Sequence, residues 1–259
     1  MKTPLKENIQ FKNSRIVKDL IPAQSKVHSF LLYDGNIELK LAASNRQVIA
    51  HTNNYVVHEF WECALENPRG LGAWVRNLSS LLEDDPVFSS NKMFTILQDT
   101  WPSHPNSYTR AAFFFLLNRC SDVGLVSSGK FADEGLNSLA IINLERLQIK
   151  NFELCLDKTD NYLDGIQDVP ADDYLLFPAG RYSLNLFEKG KSKGIESTLV
   201  NHRELCSRLK SEQRKWVALY KPHPRLREMY EDYNLLMIDE HGRQTTKEGR
   251  CEDVVIANF

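Results

Sequence analysis

Carboxylates and histidines are the residue types in this sequence that could act as acids, bases or metal ligands. Asp172 and Asp173 form an adjacent pair before an apolar run, where they could be a relocated acid or metal ligands, although such pairs are more often solvated turns. The seven histidines form no HxxxH or HExxH pattern, which argues against a metal site. His51 and His58 straddle a predicted strand–helix junction, and ordinary packing or exposure explains them better than a shared ligand.

Two further patterns are weak. Ser127–Lys130 (SSGK) is similar to the end of a phosphate-binding loop, but the GxxxxG that should precede it is absent. The closest two of the five cysteines, Cys120 and Cys155, are 35 residues apart, so there is no CxxC metal or redox pair. An odd, scattered set of cysteines indicates reduced thiols. We therefore expect a cytoplasmic protein without a bound metal.

Length and composition agree with that expectation. The chain has 259 residues, of which 42% are apolar and 25% are charged, as in a soluble globular protein of one or two domains. No apolar run reaches the roughly 18 residues of a membrane span, and the polar N-terminus does not resemble a secretory signal. The net charge of −2 excludes a uniformly basic nucleic-acid binder but leaves room for a local basic face.

Short apolar runs alternate with helical patterns at both ends of the chain, which predicts a parallel α/β sheet. A helix over Gly35–Ser44 separates the first two strands, as in a βαβ unit. Helices over Leu199–Gln213 and His223–Asp232 separate later strands. The order of the strands does not follow from this pattern. The predicted strands are His28–Tyr33, Arg46–Thr52, Phe152–Leu156, Asp173–Pro178, Lys215–Tyr220, Asn234–Ile238 and Asp253–Phe259.

Between the second and third strands the spacing of apolar residues is helical from Asn54 to Leu147. Tyr108–Cys120 is the clearest of these helices, and the Phe113–Phe115 run within it suits a core better than a stacking platform. We therefore predict a discontinuous sheet domain over residues 1–53 and 150–259, interrupted by a helical insert over residues 54–149.

Arg110–Leu125, RAAFFFLLNRCSDVGL, is similar to the "RAALFFxLNRxSFNGL" stretch of DNA adenine-N6 methyltransferases of the Dam type. The resemblance extends over nearly the whole chain. It implies a Rossmann-like, S-adenosylmethionine-dependent methyltransferase sheet with an inserted helical DNA-recognition domain. Supporting stretches are Ser14–Pro22, Arg46–Trp61, Lys215–Tyr233 and the closing EDVVIANF.

The family's cofactor motifs are degenerate here. Its "GGK" element corresponds to Phe11, Lys12 and Asn13, where side chains replace two glycines that allow close backbone approach. Its glycine-rich loop after the first strand keeps Gly35, while Asn36 and Ile37 replace the other glycines. The Asp that accepts hydrogen bonds from the ribose is Thr52, which supplies no charge; this loss costs roughly 1.5–3 kcal/mol.

The family's "DPPY" motif holds the target amine and stacks on the flipped adenine. Here it is replaced by Phe177, Pro178, Ala179 and Gly180, so both the acceptor carboxylate and the stacking ring are missing. Tyr182, two residues later, could replace the ring in part, but not the Asp.

The joint loss of these motifs, in a sequence whose strand and helix patterns are intact, predicts a catalytically inactive pseudoenzyme. We expect no bound cofactor, and a DNA-binding or partner-stabilising role beside an active adenine methyltransferase paralogue. One alternative is an active but divergent adenine methyltransferase, which would need S-adenosylmethionine. Another is a stand-alone structural or DNA-binding protein that reuses the fold.

Double-stranded DNA is the expected ligand of a local basic face. The family's recognition stretch supplies several candidates, and a glycine-rich loop after the degenerate motif, EKGKSKG, supplies three lysines. Arg119 could instead brace a helix pair, and the lysines could simply make the loop soluble. The candidate DNA-binding residues are Arg110, Asn118, Arg119, Lys130, Lys189, Lys191 and Lys193.

Overall fold

The computed structural model describes residues 2–83, 91–127, 129–132, 136–159, 161–182 and 200–259. Contacts divide these residues into two compact units. The first contains residues 2–8 and those described between Asn54 and Ile149. The second contains Ile9–Asn53 and the described residues from Lys150 onwards. Lys189, Lys191 and Lys193 lie outside the described residues.

The second unit is built on one seven-stranded sheet in the described part of the chain, with the order β3-β2-β1-β4-β5-β7-β6. Neighbouring strands from β3 to β5 are parallel, and β7 lies antiparallel between β5 and β6. The strands are β1 Lys26–Ser29, β2 Gln47–Thr52, β3 Phe152–Leu156, β4 Tyr174–Gly180, β5 Trp216–Tyr220, β6 Asn234–Ile238 and β7 Asp253–Ala257.

The predicted α/β class is confirmed. The order 3-2-1-4-5 is that of a Rossmann-like sheet, whose connections reverse direction between β1 and β4. Every residue of β4, β5 and β7 is buried, as expected for strands covered on both faces. The largest difference from the predicted strands is in β1, which ends at Ser29 rather than Tyr33, because Leu31 has a φ of 69° and cannot continue an extended strand.

Helices cover the sheet and form the first unit. Gly35, with a φ of 67°, immediately precedes α2, so the chain turns from β1 into that helix at a residue without a Cβ. Ile37 then lies inside α2 rather than in a glycine loop. The helices are α1 Ser14–Leu20, α2 Asn36–Ala42, α3 Tyr55–Glu66, α4 Pro68–Glu83, α5 Asn91–Thr100, α6 Ser107–Cys120, α7 Ser138–Glu145, α8 His202–Ser211 and α9 Arg225–Met229. Among described residues, no helix has the length and apolar character needed to cross a membrane.

The first unit is held by aromatic packing between α3 and α6. The ring of Phe60 stacks on that of Phe114 at a centroid distance of 5.2 Å, and Trp101 meets Phe114 edge-on. All three side chains are buried. The side chains of Asn54 and Asn106 accept hydrogen bonds from the first turns of α3 and α6, which stabilises the helix starts.

In the second unit, Lys221 and Asp253 connect the N-terminal segment to the end of β5 and the start of β7. The Lys221 ammonium lies 2.5 Å from Oδ1 of Asp253, which is fully buried. The backbone amide of Lys12 donates to the other carboxylate oxygen. Lys221 also donates to the carbonyl of Gln10 at 2.6 Å and lies over the ring of Phe11. The segment around Phe11 is therefore fixed by a buried ion pair.

Removing one partner of this pair should be costly. Lys221→Met leaves the buried carboxylate of Asp253 unpaired and should lower the free energy of unfolding by about 3 kcal/mol in a urea titration. The double variant with Asp253→Asn should lose less than the sum of the single losses. Lys210→Met is the control, because its pair with Asp232 is exposed and should be worth less than about 1 kcal/mol. Strict additivity would contradict the coupling.

Candidate functional site

The strand register places a set of polar and aromatic side chains on one face of the sheet. His28 is paired with Ile49 on one side and Leu175 on the other, and His51 is paired with Cys155. Because side chains alternate along a strand, residues two apart share a face. This set lies mainly toward the carboxyl ends of the parallel strands, where Rossmann-like folds bind ligands. It comprises His28, Phe30, His51, Cys155, Asp157, Asp173 and Phe177.

Three of these side chains form an aromatic stack across the β1–β4 junction. The Phe30 ring lies 4.5 Å from the imidazole of His51 and 5.2 Å from the ring of Phe177, nearly parallel to both. Phe30 and Phe177 are completely buried. The position that corresponds to the family's catalytic Asp is therefore occupied by a core side chain.

The segment that corresponds to the DPPY motif has an irregular backbone. Phe177 is paired with Ala218 and Gly180 with Tyr220, so β4 uses three steps where β5 uses two. The extra residue makes a β-bulge in β4. The bulged segment includes Pro178, which has no N–H to donate to a hydrogen bond between the strands. Gly180 has a φ of 72°, which its missing side chain permits. Every residue of the segment is buried.

Tyr182 does not present an unused ring. Its ring stacks on His202 at 5.1 Å and on His223 at 4.5 Å, with both imidazoles tilted by less than 30°. A base stacking on this phenol ring would have to displace one of these contacts. The sequence predicts that Tyr182 could partly replace the missing ring of the motif. In the structure this ring is already stacked on the two imidazoles.

Four side chains form a buried polar chain, which we call the His–Asp chain: Asp173, His28, His51 and Asp157. Asp173 Oδ2 lies 3.2 Å from His28 Nε2, His28 Nδ1 lies 3.0 Å from His51 Nε2, and His51 Nδ1 lies 2.9 Å from Asp157 Oδ1. Burial lowers the pKa of His28, and the neighbouring His51 lowers it further, while the hydrogen bond to Asp173 raises it.

With two neutral imidazoles and two ionised carboxylates, the His–Asp chain is one hydrogen short. Its three contacts need three hydrogens, and ionised carboxylates donate none. Two neutral imidazoles supply one each. Whichever tautomers are chosen, one contact then joins two lone pairs, unless a further proton or a cation is present.

The sequence did not predict this cluster. The sequence groups Asp173 with Asp172 and His51 with His58, whereas the fold brings Asp173 to His28 and His51 to Asp157. The relevant signal was the carboxyl ends of neighbouring strands: His51 lies near the end of β2, and Cys155 and Asp157 lie at and just beyond the end of β3. That signal becomes useful only once the strand order is known.

The residues at the family's cofactor positions are packed into the second unit. Phe11 is 8% exposed and Thr52 is 2% exposed. Asn13 is completely buried, and neither polar atom of its side chain has a hydrogen-bond partner within the described structure. Gly35 immediately precedes α2, and Ile37 lies in its first turn. None of these residues supplies a charged hydrogen-bond acceptor where the family has its ribose-binding Asp.

Two of the candidate DNA-binding residues already have structural partners in the first unit. The guanidinium of Arg110 binds both carboxylate oxygens of Glu59 and the carbonyl of His104, so it joins α6 to α3. Asn118 is fully buried and bonds the backbone of Lys6 and of Gly124.

The other two described candidates differ from each other. Burial lowers the pKa of Arg119, whereas Lys130 is exposed. A DNA contact by any of the four described candidates stays a prediction.

Comparisons with known proteins identify no family for this chain. No protein-family model and no curated protein sequence matches the chain. A solved TehB-like SAM-dependent methyltransferase from Corynebacterium glutamicum is similar in structure, with a TM-score of 0.38 and 10% identity over 95% of this chain and 86% of that one. The fold class rests on the sheet itself, whose strand order and directions make this a Rossmann-like fold.

The buried His202 should make the protein less stable in acid. It lies against Tyr182 and Tyr220, and burial, with a smaller contribution from the nearby His223, lowers its pKa to about 4. The unfolded chain takes up a proton near pH 6.5 that the folded chain does not. Stability contributed by neutral His202 is therefore lost as the pH falls from 6.5 toward 4, by at most about 1.4 kcal/mol per pH unit.

The measurement is the free energy of unfolding of wild type and of His202→Phe between pH 7.5 and about 4. The variant should gain stability relative to wild type as the pH falls, since phenylalanine takes up no proton. His241→Phe, at an exposed histidine, should show no such gain. Parallel curves for wild type and His202→Phe would contradict the assignment.

Proposed function

We propose that this chain is a catalytically inactive relative of the DNA adenine-N6 methyltransferases of the Dam type. In this proposal it binds DNA, or stabilises a partner, alongside an active methyltransferase. The resemblance along the sequence and the Rossmann-like sheet support the first part. The buried aromatic stack at the degenerate motif is the observation that carries the inactivity.

The argument for inactivity starts at Phe177. An adenine methyltransferase needs a polar acceptor for the target amine at this position and a free ring for the flipped base. Here the side chain is apolar, completely buried and stacked on Phe30. The nearest tyrosine, Tyr182, stacks on two imidazoles. Both functions would need the local packing to open.

The cofactor positions support the same proposal. S-adenosylmethionine needs close backbone approach at the glycine-rich elements and an acceptor for its ribose hydroxyls. Phe11 is held by the Lys221–Asp253 pair, and Ile37 is 3% exposed within α2. Thr52 is buried and carries no charge. These residues do not fit the cofactor, so we derive no step that uses it.

Contacts within the fold leave fewer candidate residues for the proposed DNA binding. A phosphate contact by Arg110 would compete with its bidentate pair to Glu59, and Asn118 is inaccessible. Lys130 is exposed and remains a candidate. The loop lysines complete the proposed basic face, which must be local because the net charge is −2.

The first experiment measures cofactor binding. In calorimetry the full chain should give no S-adenosylmethionine binding at micromolar concentrations, and duplex DNA should not be methylated. Phe177→Asp should restore neither activity, because groups that act as a unit are not recovered singly. It should also destabilise the fold, since it buries an unpaired carboxylate. Micromolar cofactor binding by wild type would overturn the proposal and favour the divergent-enzyme alternative.

The second experiment measures the salt dependence of duplex binding. Each phosphate neutralised adds about −0.9 to the slope of log affinity against log salt. Replacing Lys189, Lys191 and Lys193 by alanine should make the slope shallower by up to about 3 and weaken binding to all sequences similarly. The charge-matched control replaces the exposed lysines Lys2, Lys158 and Lys247.

Each outcome of the salt titration is informative. Equal effects of the two triple variants would remove the loop from the DNA interface. No duplex binding, either alone or with a copurified methyltransferase, would leave partner stabilisation as the role. Absence of both DNA binding and a stoichiometric methyltransferase partner would contradict the proposal.

A further inference from the structure

We propose that His51, Cys155 and Asp157 form a binding site for a borderline divalent transition metal such as Zn²⁺. This inference does not depend on whether the chain binds DNA or S-adenosylmethionine. One nitrogen, one sulfur and one oxygen donor lie within 4.8 Å of one another in the second unit. That mixed donor set suits Zn²⁺ and disfavours Mg²⁺ or Ca²⁺, which prefer oxygen alone.

The backbone brings these donors together. His51 on β2 and Cys155 on β3 are direct neighbours in the parallel register, so their side chains emerge side by side. Asp157 follows Cys155 by two residues and shares its face, and its amide donates to the carbonyl of Thr52 at 2.9 Å. The ligands come from two strands that the helical insert separates in the sequence, so they form no compact sequence motif.

Two of the three donor distances are close to those that a tetrahedral zinc site needs, and the third is within 4.8 Å. Ordinary bond lengths imply about 3.4 Å between nitrogen and oxygen ligands and about 3.6 Å between sulfur and oxygen ligands. His51 Nδ1 and Asp157 Oδ1 are 2.9 Å apart, and Cys155 Sγ and Asp157 Oδ1 are 4.0 Å apart. Side-chain adjustments of about half an ångström in these two distances would meet that geometry.

The His–Asp chain supplies the outer support that metal-bound histidines usually have. When the Nε2–H of His51 donates to His28 Nδ1, the Nε2–H of His28 donates to Asp173, and both contacts are satisfied. His51 Nδ1 is then a lone pair facing Asp157 Oδ1. A cation bound between these two atoms resolves the conflict that the hydrogen count exposes.

Asp157 provides a second, independent indication. Its Oδ2 is buried and has no hydrogen-bond partner within the described residues. An ionised carboxylate oxygen without a partner is costly to bury, and a metal held by both oxygens of Asp157 would satisfy Oδ2 as well as Oδ1. The three protein ligands leave a fourth position for a water or another small ligand. Cys155 and Asp157 are both only partly buried, so the site is not sealed from solvent.

The test uses the full-length, untagged chain after treatment with a chelator. Co²⁺ serves as a spectroscopic probe, because thiolate coordination produces a characteristic charge-transfer absorption. We expect one Co²⁺ to bind per chain, Zn²⁺ to displace it, and Zn²⁺ to raise the thermal unfolding midpoint. Cys155→Ser should abolish the thiolate absorption, and Asp157→Asn should weaken binding at least about tenfold.

Cys251→Ser is the matched control, because Cys251 is another partly buried thiol and should leave metal binding unchanged. Unfolding curves recorded without metal establish that the near-isosteric variants fold. The proposal is overturned if wild type forms no 1:1 complex at micromolar protein. It is also overturned if Cys155→Ser and Asp157→Asn, both folded, bind Co²⁺ as wild type does, since the metal would then lie elsewhere.

Discussion

The stacking of Phe177 on Phe30 is the contact on which the candidate site depends. It lies between β1 and β4, where a Rossmann-like sheet reverses its connections and usually leaves a crevice for a ligand. Two buried phenyl rings occupy that junction with core packing. The same ring of Phe30 stacks on His51, so the apolar stack also fixes the orientation of an imidazole in the His–Asp chain.

Much of the fold could be predicted from the sequence because its signals are local. Buried parallel strands appear as short apolar runs, so the strands near Arg46, Phe152 and Trp216 were found close to their observed positions. The early end of β1 depends on the positive φ of Leu31, which no residue type announces. Strand order and the antiparallel place of β7 depend on pairings between distant segments, and periodicity carries no information about them.

For the candidate site, the prediction rests on a family resemblance rather than on local patterns. Resemblance to a family indicates positions that differ from its motifs, such as Phe177 and Thr52, but not what the residues at these positions do. The helical stretch that carries the strongest resemblance shows the reason. Arg110 and Asn118 bind Glu59 and two backbone segments, so part of that similarity reflects the needs of folding. A matched residue can therefore preserve an architecture without preserving a contact to a ligand.

The pairing of Lys12 with Asp253 has a consequence for synthesis on the ribosome. The two residues are 241 positions apart, and β7, which begins at Asp253, inserts between β5 and β6 rather than adding to an edge. The nascent chain therefore cannot close the sheet, or dock the segment around Phe11, until β7 has emerged. Until then β5 and β6 expose unpaired backbone, the kind of edge that chaperones shield and that aggregation exploits.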